Sequence, residues 1–208
     1  DVSVHSLNAL LLIALFFNQI LPSNLGGDAV RIWRLFRRGA GIQRAVGSVL
    51  LDHVLSLVGL ALLVLLALPW AVSLIADKTI LIALVLVIAA VMSGLGVLLV
   101  LDRLAPLLVR ILPARLRPAR LLDVVMRLSV DAREVFLVRR VVVPLLLVAM
   151  VTHLVAVMIM AMLAYGLGIA VDIGGFVVLV PPAVLASLLP LSFAGWGVRE
   201  GAMIALLG

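Results

Sequence analysis

Apolar residues in this chain come in long unbroken runs, separated by short polar stretches, without the strict alternation that marks a half-buried strand. Runs of this length suit a bilayer, where backbone groups must be satisfied inside the segment, so they predict helices and not an open sheet. The first run, from Leu7 to Leu21, would reach roughly 22 Å as a helix, short for a full crossing unless its flanks contribute. It can be a span or one arm of a re-entrant hairpin. Pro22 ends it, Gly26 and Gly27 permit a sharp turn, and Asp28 is placed to cap the helix that follows.

That helix carries Arg31, Arg34 and Arg38 on one stripe beside Trp33 and Phe36, a pattern suited to the headgroup level. Arg34, Arg37, Arg38 and Arg44 read equally well as a basic flank that snorkels. A span from about Ala45 to Leu68 follows, closed by Pro69-Trp70 and carrying Asp52, His53, Ser56 and Gly59 in its first half. Asp77 and Lys78 mark a short loop. The next span covers Thr79 to Leu101, and its Ser93-Gly94-Leu95-Gly96 invites close helix packing. From Asp102 to Arg140 the chain is polar, with nine Arg against four acidic residues and Pro106, Pro113 and Pro118 breaking its first part. Its later part, Leu121 to Val138, reads as an amphipathic surface helix. Another span runs from Val141 to Leu163 and holds Pro144, Thr152 and His153, with Tyr165-Gly166-Leu167-Gly168 closing it. Met158, Met160 and Met162 are most simply core. The last apolar run, Ile173 to Leu189, is interrupted by Pro181-Pro182 and should not form one straight helix. Together these elements predict an all-α polytopic membrane protein of about five to seven transmembrane or re-entrant helices.

Composition agrees: 66% of residues are hydrophobic and 12% charged, against about 25% charged in soluble domains. Mean hydropathy is +1.39. The basic excess consists of 15 Arg and one Lys, which in such a chain reads as topology and anionic-lipid contact, with no nucleic acid as partner. The segments 31–45 and 102–140 are separated by two spans, lie on one side, and are both basic, so that side is cytoplasmic. The loops around Asp77 and Asp172 then fall outside. The absence of Cys excludes disulfides, thiolate metal sites and cysteine catalysis. Three scattered His suggest no zinc site, and no cofactor or metal is expected. The start on Asp1 and the stop at Gly208 suggest a region of a longer protein, a single transmembrane domain over 1–208 with 102–140 as a basic cytoplasmic amphipathic linker.

Two stretches stand out within this hydrophobic background. Leu21-Pro22 is followed by four residues, Gly27, two residues and Val30-Arg31; Leu189-Pro190 is followed by four residues, Gly195, two residues and Val198-Arg199. This is a weak internal repeat of broken-helix Pro-Gly-Arg motifs, parallel or inverted according to whether the first run crosses. A helix break followed by glycine exposes backbone N–H groups to an anion, and an arginine one turn inside can fork onto phosphate oxygens. The candidate lipid- or anion-binding residues are therefore Arg31, Arg199, Gly26, Gly27, Gly195 and Gly197. Pro22 and Pro190 make the breaks, and Asp28, Asp52 and Glu200 supply counter-charge. The plainer alternative is two capped helix starts whose arginines face the cytoplasm. Asp52 suits Arg31 or Arg199 as a partner, Asp52-His53 can also relay protons, and His153 can simply bond a neighbouring helix.

At these residues the chain resembles the transmembrane region of lysylphosphatidylglycerol synthases, the flippase-like integral membrane family. The resemblance rests on Asn18 through Arg31, with Pro22-Ser23-x-x-Gly26-Gly27-Asp28-x-x-Arg31, then Ser48 through Asp52, and Pro190 through Glu200, with Gly195-x-Gly197-Val198-Arg199-Glu200. Family members commonly have Arg after the Asp of the second stretch, where this chain has His53. The resemblance implies a multi-pass plasma-membrane protein that binds anionic phospholipid or lipid-linked phosphate and translocates it between leaflets. It also implies a possible synthase or glycosyltransferase partner. In the lysylphosphatidylglycerol branch a soluble aminoacyltransferase domain accompanies this region. These 208 residues contain none of it, so the reading leans away from an enzyme. The rivals are a membrane-embedded lipid-modifying transferase, for which no Asp-x-Asp, His-x-x-x-Asp or Ser-His-Asp grouping is present, and a non-transporting anchor for a catalytic partner.

Overall fold

A computed structural model of the chain describes residues 9–14, 16–17, 25–75, 77–111, 119–168 and 173–187, and among them every regular element is a helix. Helix α1 is seen over 9–14 and 16–17. It is followed by α2 (Leu25–Arg37), α3 (Ile42–Leu74), α4 (Lys78–Ile111), α5 (Ala119–Phe136), α6 (Arg139–Gly166) and α7 (Ile173–Ser187). Three are long and apolar enough to cross a bilayer: Ile42–Leu74, Lys78–Leu104 and Arg139–Gly166. The all-helical membrane architecture expected from the apolar runs is what the structure has.

Several boundaries differ from the sequence expectations, and proline accounts for most of them. The α3 helix passes through Pro69 to Leu74, α4 continues past Pro106 to Ile111, and α7 is one continuous helix containing Pro181 and Pro182. Proline removes one N–H and crowds the preceding turn, but neighbouring packing can hold the helix where the chain is apolar. Around α7 that packing is dense, since Val178 through Ala183 are all buried. A break at Pro181-Pro182 is therefore not seen. The helix of the first motif also begins earlier than expected, at Leu25. Asp28 thus lies in its first turn instead of capping it, and Gly26 and Gly27 are buried helical residues instead of a sharp turn.

The chain divides into two compact units. The first comprises Asp1–His53 and Leu101–Ala132. Its buried positions are mostly small: Ala14, Ala45, Val49, Ser129 and Ala132. Small residues let backbones approach, and at Gly47 an added Cβ would lie 3.8 Å from Asp131 Oδ2, which sets α5 against α3. The fully buried Ser129 hydroxyl accepts the Asp102 N–H at 3.1 Å and donates to Asp102 Oδ1 at 3.2 Å, tying α5 to α4. Helix α2 ends in a Schellman turn: Ala40 N–H bonds Leu35 C=O, Gly39 N–H bonds Phe36 C=O, and Gly39 takes φ +89°.

The second unit comprises Val54–Val100 and Arg133–Gly208. Here large apolar side chains dominate. Leu60 and Val64 of α3 pack with Leu84 and Ile88 of α4 and Leu185 of α7. Val157 and Ala161 of α6 pack with Phe176 and Val180 of α7. Glycine permits a close crossing at Gly59, where a Cβ would fall 2.7 Å from Ala149 Cβ. At Gly94 and Gly96, where close packing was expected, an added Cβ would meet no neighbouring element within 4 Å among the described residues. Met158 and Met162 are exposed and are not core, along with Leu147, Val148 and Val151 of the same helix. Apolar exposure along α6 is what a lipid-facing helix needs.

Candidate functional site

The charged residues that the sequence marks in its first motif converge in the first unit. Asp28 and Arg31 are three residues apart on α2 and so share a face. Asp52 and His53 are consecutive on α3, about 100° apart around the axis. Arg31 Nη1 donates to Asp52 Oδ2 at 2.7 Å. His53 Nε2 lies 2.7 Å from Asp28 Oδ2. Asp28 also turns its other oxygen toward Arg31, at a looser 4.0 Å from Nη1. Asp28 therefore stands between a histidine and a guanidinium, and the guanidinium stands between two carboxylates.

Burial divides the four residues. The side chains of Arg31 and Asp28 are 18% and 15% exposed, those of Asp52 and His53 53% and 58%. The inner pair belongs to the start of α2, near the positive end of its dipole, and the outer pair reaches it from α3. Nε of Arg31 is buried and has no hydrogen-bond partner among the described residues. Among the described residues, carboxylates engage the guanidinium at Nη1. Nε lies on the Nε–Nη2 edge, the geometry with which a guanidinium grips phosphate or carboxylate oxygens in pairs.

Of the residues singled out by sequence, Arg31, Asp28 and Asp52 meet here, with Gly26 and Gly27 buried in the same helical turn. Pro22 and the whole second motif, Pro190, Gly195, Gly197, Arg199 and Glu200, lie outside the described residues. The contact of His53 with Asp28 is one that sequence reasoning missed. Its signal was present as two opposite-charge pairs on successive elements, but only the register of α2 against α3 decides which member meets which. Arg37, read as part of a snorkelling basic flank, lies over the exposed Trp33 ring at 5.4 Å.

Other polar groups serve packing. In the second unit His153 Nε2 lies 3.2 Å from Ser56 Oγ and 3.1 Å from Ser56 O, joining α6 to α3. Thr152 donates back to Val148 O in its own helix. The cavities of this unit are apolar; one of about 780 Å³ between α3 and α7 is lined by Leu63, Leu66, Trp70, Ser73, Gly174 and Val178. No group of three or more His, Cys, Asp or Glu that could hold a metal occurs among the described residues.

The family model described as lysylphosphatidylglycerol synthase TM region matches residues 1–208, the whole chain. No curated protein and no solved structure matches it.

Proposed function

The chain belongs to the lysylphosphatidylglycerol synthase TM region family, and from that premise we propose that it is a lipid-binding module of the plasma membrane. In this reading it holds a phosphate-bearing headgroup at Arg31 and passes anionic phospholipid or lipid-linked phosphate between leaflets. The observation that carries the reading is the buried Nε of Arg31, without a partner among the described residues, on a guanidinium whose opposite corner Asp52 anchors. Leaving a buried charged donor unsatisfied is costly, and a phosphate oxygen removes that cost. The second motif, Arg199 with Gly195, Gly197 and Glu200, is in this proposal a separate anion-binding stretch of its own.

The orientation belongs to the same proposal. Helices α3 and α4 carry the chain across and back, so 31–45 and 102–140 share the cytoplasmic side. Contacts within the first unit support this, since Asp131 lies beside Gly47 and Ser129 binds Asp102. Exposed Trp70 and Tyr165, near the far ends of α3 and α6, suit the opposite interface.

The test is transfer of labelled phosphatidylglycerol across phosphatidylcholine vesicles containing the purified protein. Wild type should accelerate transfer, and Arg31→Ala should slow it about 10- to 100-fold, the value of a lost charge-assisted pair. Unchanged transfer by an Arg31→Ala/Arg199→Ala double variant would overturn the site. Absence of transfer, with a synthase or glycosyltransferase co-purifying, would favour the anchor role instead.

A further inference from the structure

Resting on the reading of Arg31 as headgroup ligand, we propose that His53 is a positioning residue whose protonation raises the affinity of that site, so that headgroup capture is proton-linked. Three observations carry it: His53 touches Asp28 at 2.7 Å, Asp28 is shared with Arg31, and the His53 side chain lies at the exposed side of the cluster while Asp28 and Arg31 are largely buried.

With a neutral imidazole, the cluster holds two carboxylates, Asp28 and Asp52, against one guanidinium. An incoming phosphate then meets a site whose net charge is negative, and Arg31 is already claimed from two sides. A neutral His53 must carry its proton on Nε2 to donate to Asp28, and gives it only a dipole. A protonated His53 forms an ion pair with Asp28 in place, with no rotamer change. The cluster becomes neutral, the pull of Asp28 on Arg31 weakens, and the Nε–Nη2 edge accepts an anion with less opposition.

The charged groups nearest His53 lie on α2 and on α3 itself. From α2 they are Asp28 and Arg31, and from α3 itself Asp52. Within the same unit, Asp131 of α5 stands beside Gly47, and Asp102 of α4 is bound to Ser129. Asp28 is thus the acidic group in direct contact with the imidazole among the described residues, and Asp52 faces Arg31.

The experiment follows the rate of phosphatidylglycerol transfer across phosphatidylcholine vesicles between about pH 5 and 8, with the internal and external pH matched. Wild type should quicken as pH falls, by up to about tenfold per unit where the linkage is complete. His53→Gln, which keeps a donor without a titration, should give a flat profile at the slow alkaline level. His53→Arg, with a fixed charge, should give a flat profile at the fast acidic level. Asp28→Asn should also flatten the profile, because His53 acts through that carboxylate. Wild-type transfer that depends on Arg31 but not on pH would overturn the role of His53 and leave the headgroup reading intact. A pH dependence that survives His53→Gln would overturn it as well. Wild type without transfer at any pH would remove both.

Discussion

Arg31 is the residue where the competing demands on this chain are sharpest. A guanidinium in or near a bilayer requires a partner, and Asp52 meets that demand at 2.7 Å. The pair is only partly buried, which places its value between that of a surface ion pair and a buried one. Asp52→Ala should therefore destabilise the protein by about 1–2 kcal/mol, less than the 3–5 kcal/mol of a fully buried pair. Thermal unfolding in detergent reads this directly. A double-mutant cycle with Arg31→Met should recover part of the loss, because the uncompensated charge goes with it. Sequence alone offered Asp52 as counter-charge to either motif arginine, and the structure brings it to Arg31. The Asp28–His53 contact was missed, because Asp28 reads as a cap and counter-charge and His53 as a relay with Asp52.

Among the elements, α3 does the most. It carries Asp52 and His53 in the first unit, then Leu60, Val64, Ala67 and Ala71 into the cores of the second. Its crossing with α6 depends on Gly59. Gly59→Ala should lower stability by about 1–3 kcal/mol, since the new Cβ would fall 2.7 Å from Ala149 Cβ. Ala149→Gly in the same chain should restore much of the melting temperature. If the single variant melts like wild type, the crossing is looser than described. The entry to α4 is governed by Asp77, which accepts the Thr79 N–H at 2.7 Å as an N-cap. Hydrogen bonds from Thr79 hold its carboxyl below the ordinary 3.8. The sign follows from linkage: with the folded pKa depressed, the stabilisation is present above 3.8 and lost as pH falls through the lower folded value. Protection of the first α4 amides against hydrogen exchange should therefore fall only in strong acid. Asp77→Asn, still an acceptor, should lose that acid sensitivity.

At the scale of the whole molecule, the proposed orientation makes a clean labelling experiment possible because the chain contains no cysteine. Gly41→Cys, in the turn between α2 and α3, should react with membrane-impermeant thiol reagent only from the cytoplasmic side. Lys78→Cys, at the first residue of α4, should react only from outside. Labelling of both from one side would overturn the orientation. The apolar face of α6 makes a second prediction at this scale. Its Val148, Val151 and Val155 are exposed to whatever surrounds the helix, so Val151→Arg should impair membrane insertion by about 2–3 kcal/mol, read as reduced yield in the membrane fraction.

The helical membrane class, the existence of long spans near α3, α4 and α6, and the amphipathic α5 were all readable from the chain. They rest on local hydrophobic pattern, and lipid admits few other solutions. The end of each span was less readable, because proline propensity is measured without the packing that carries α3 through Pro69 and α7 through Pro181 and Pro182. The motif glycines misled for a similar reason: Gly26 and Gly27 look like a turn, yet they lie buried in the first turn of α2. Charge and spacing set Asp28 beside Arg31 and offered Asp52 to either Arg31 or Arg199. Only the register of α2 against α3 gave Arg31 to Asp52 and His53 to Asp28, since a helix rotation of 100° between adjacent residues decides which partner each can reach.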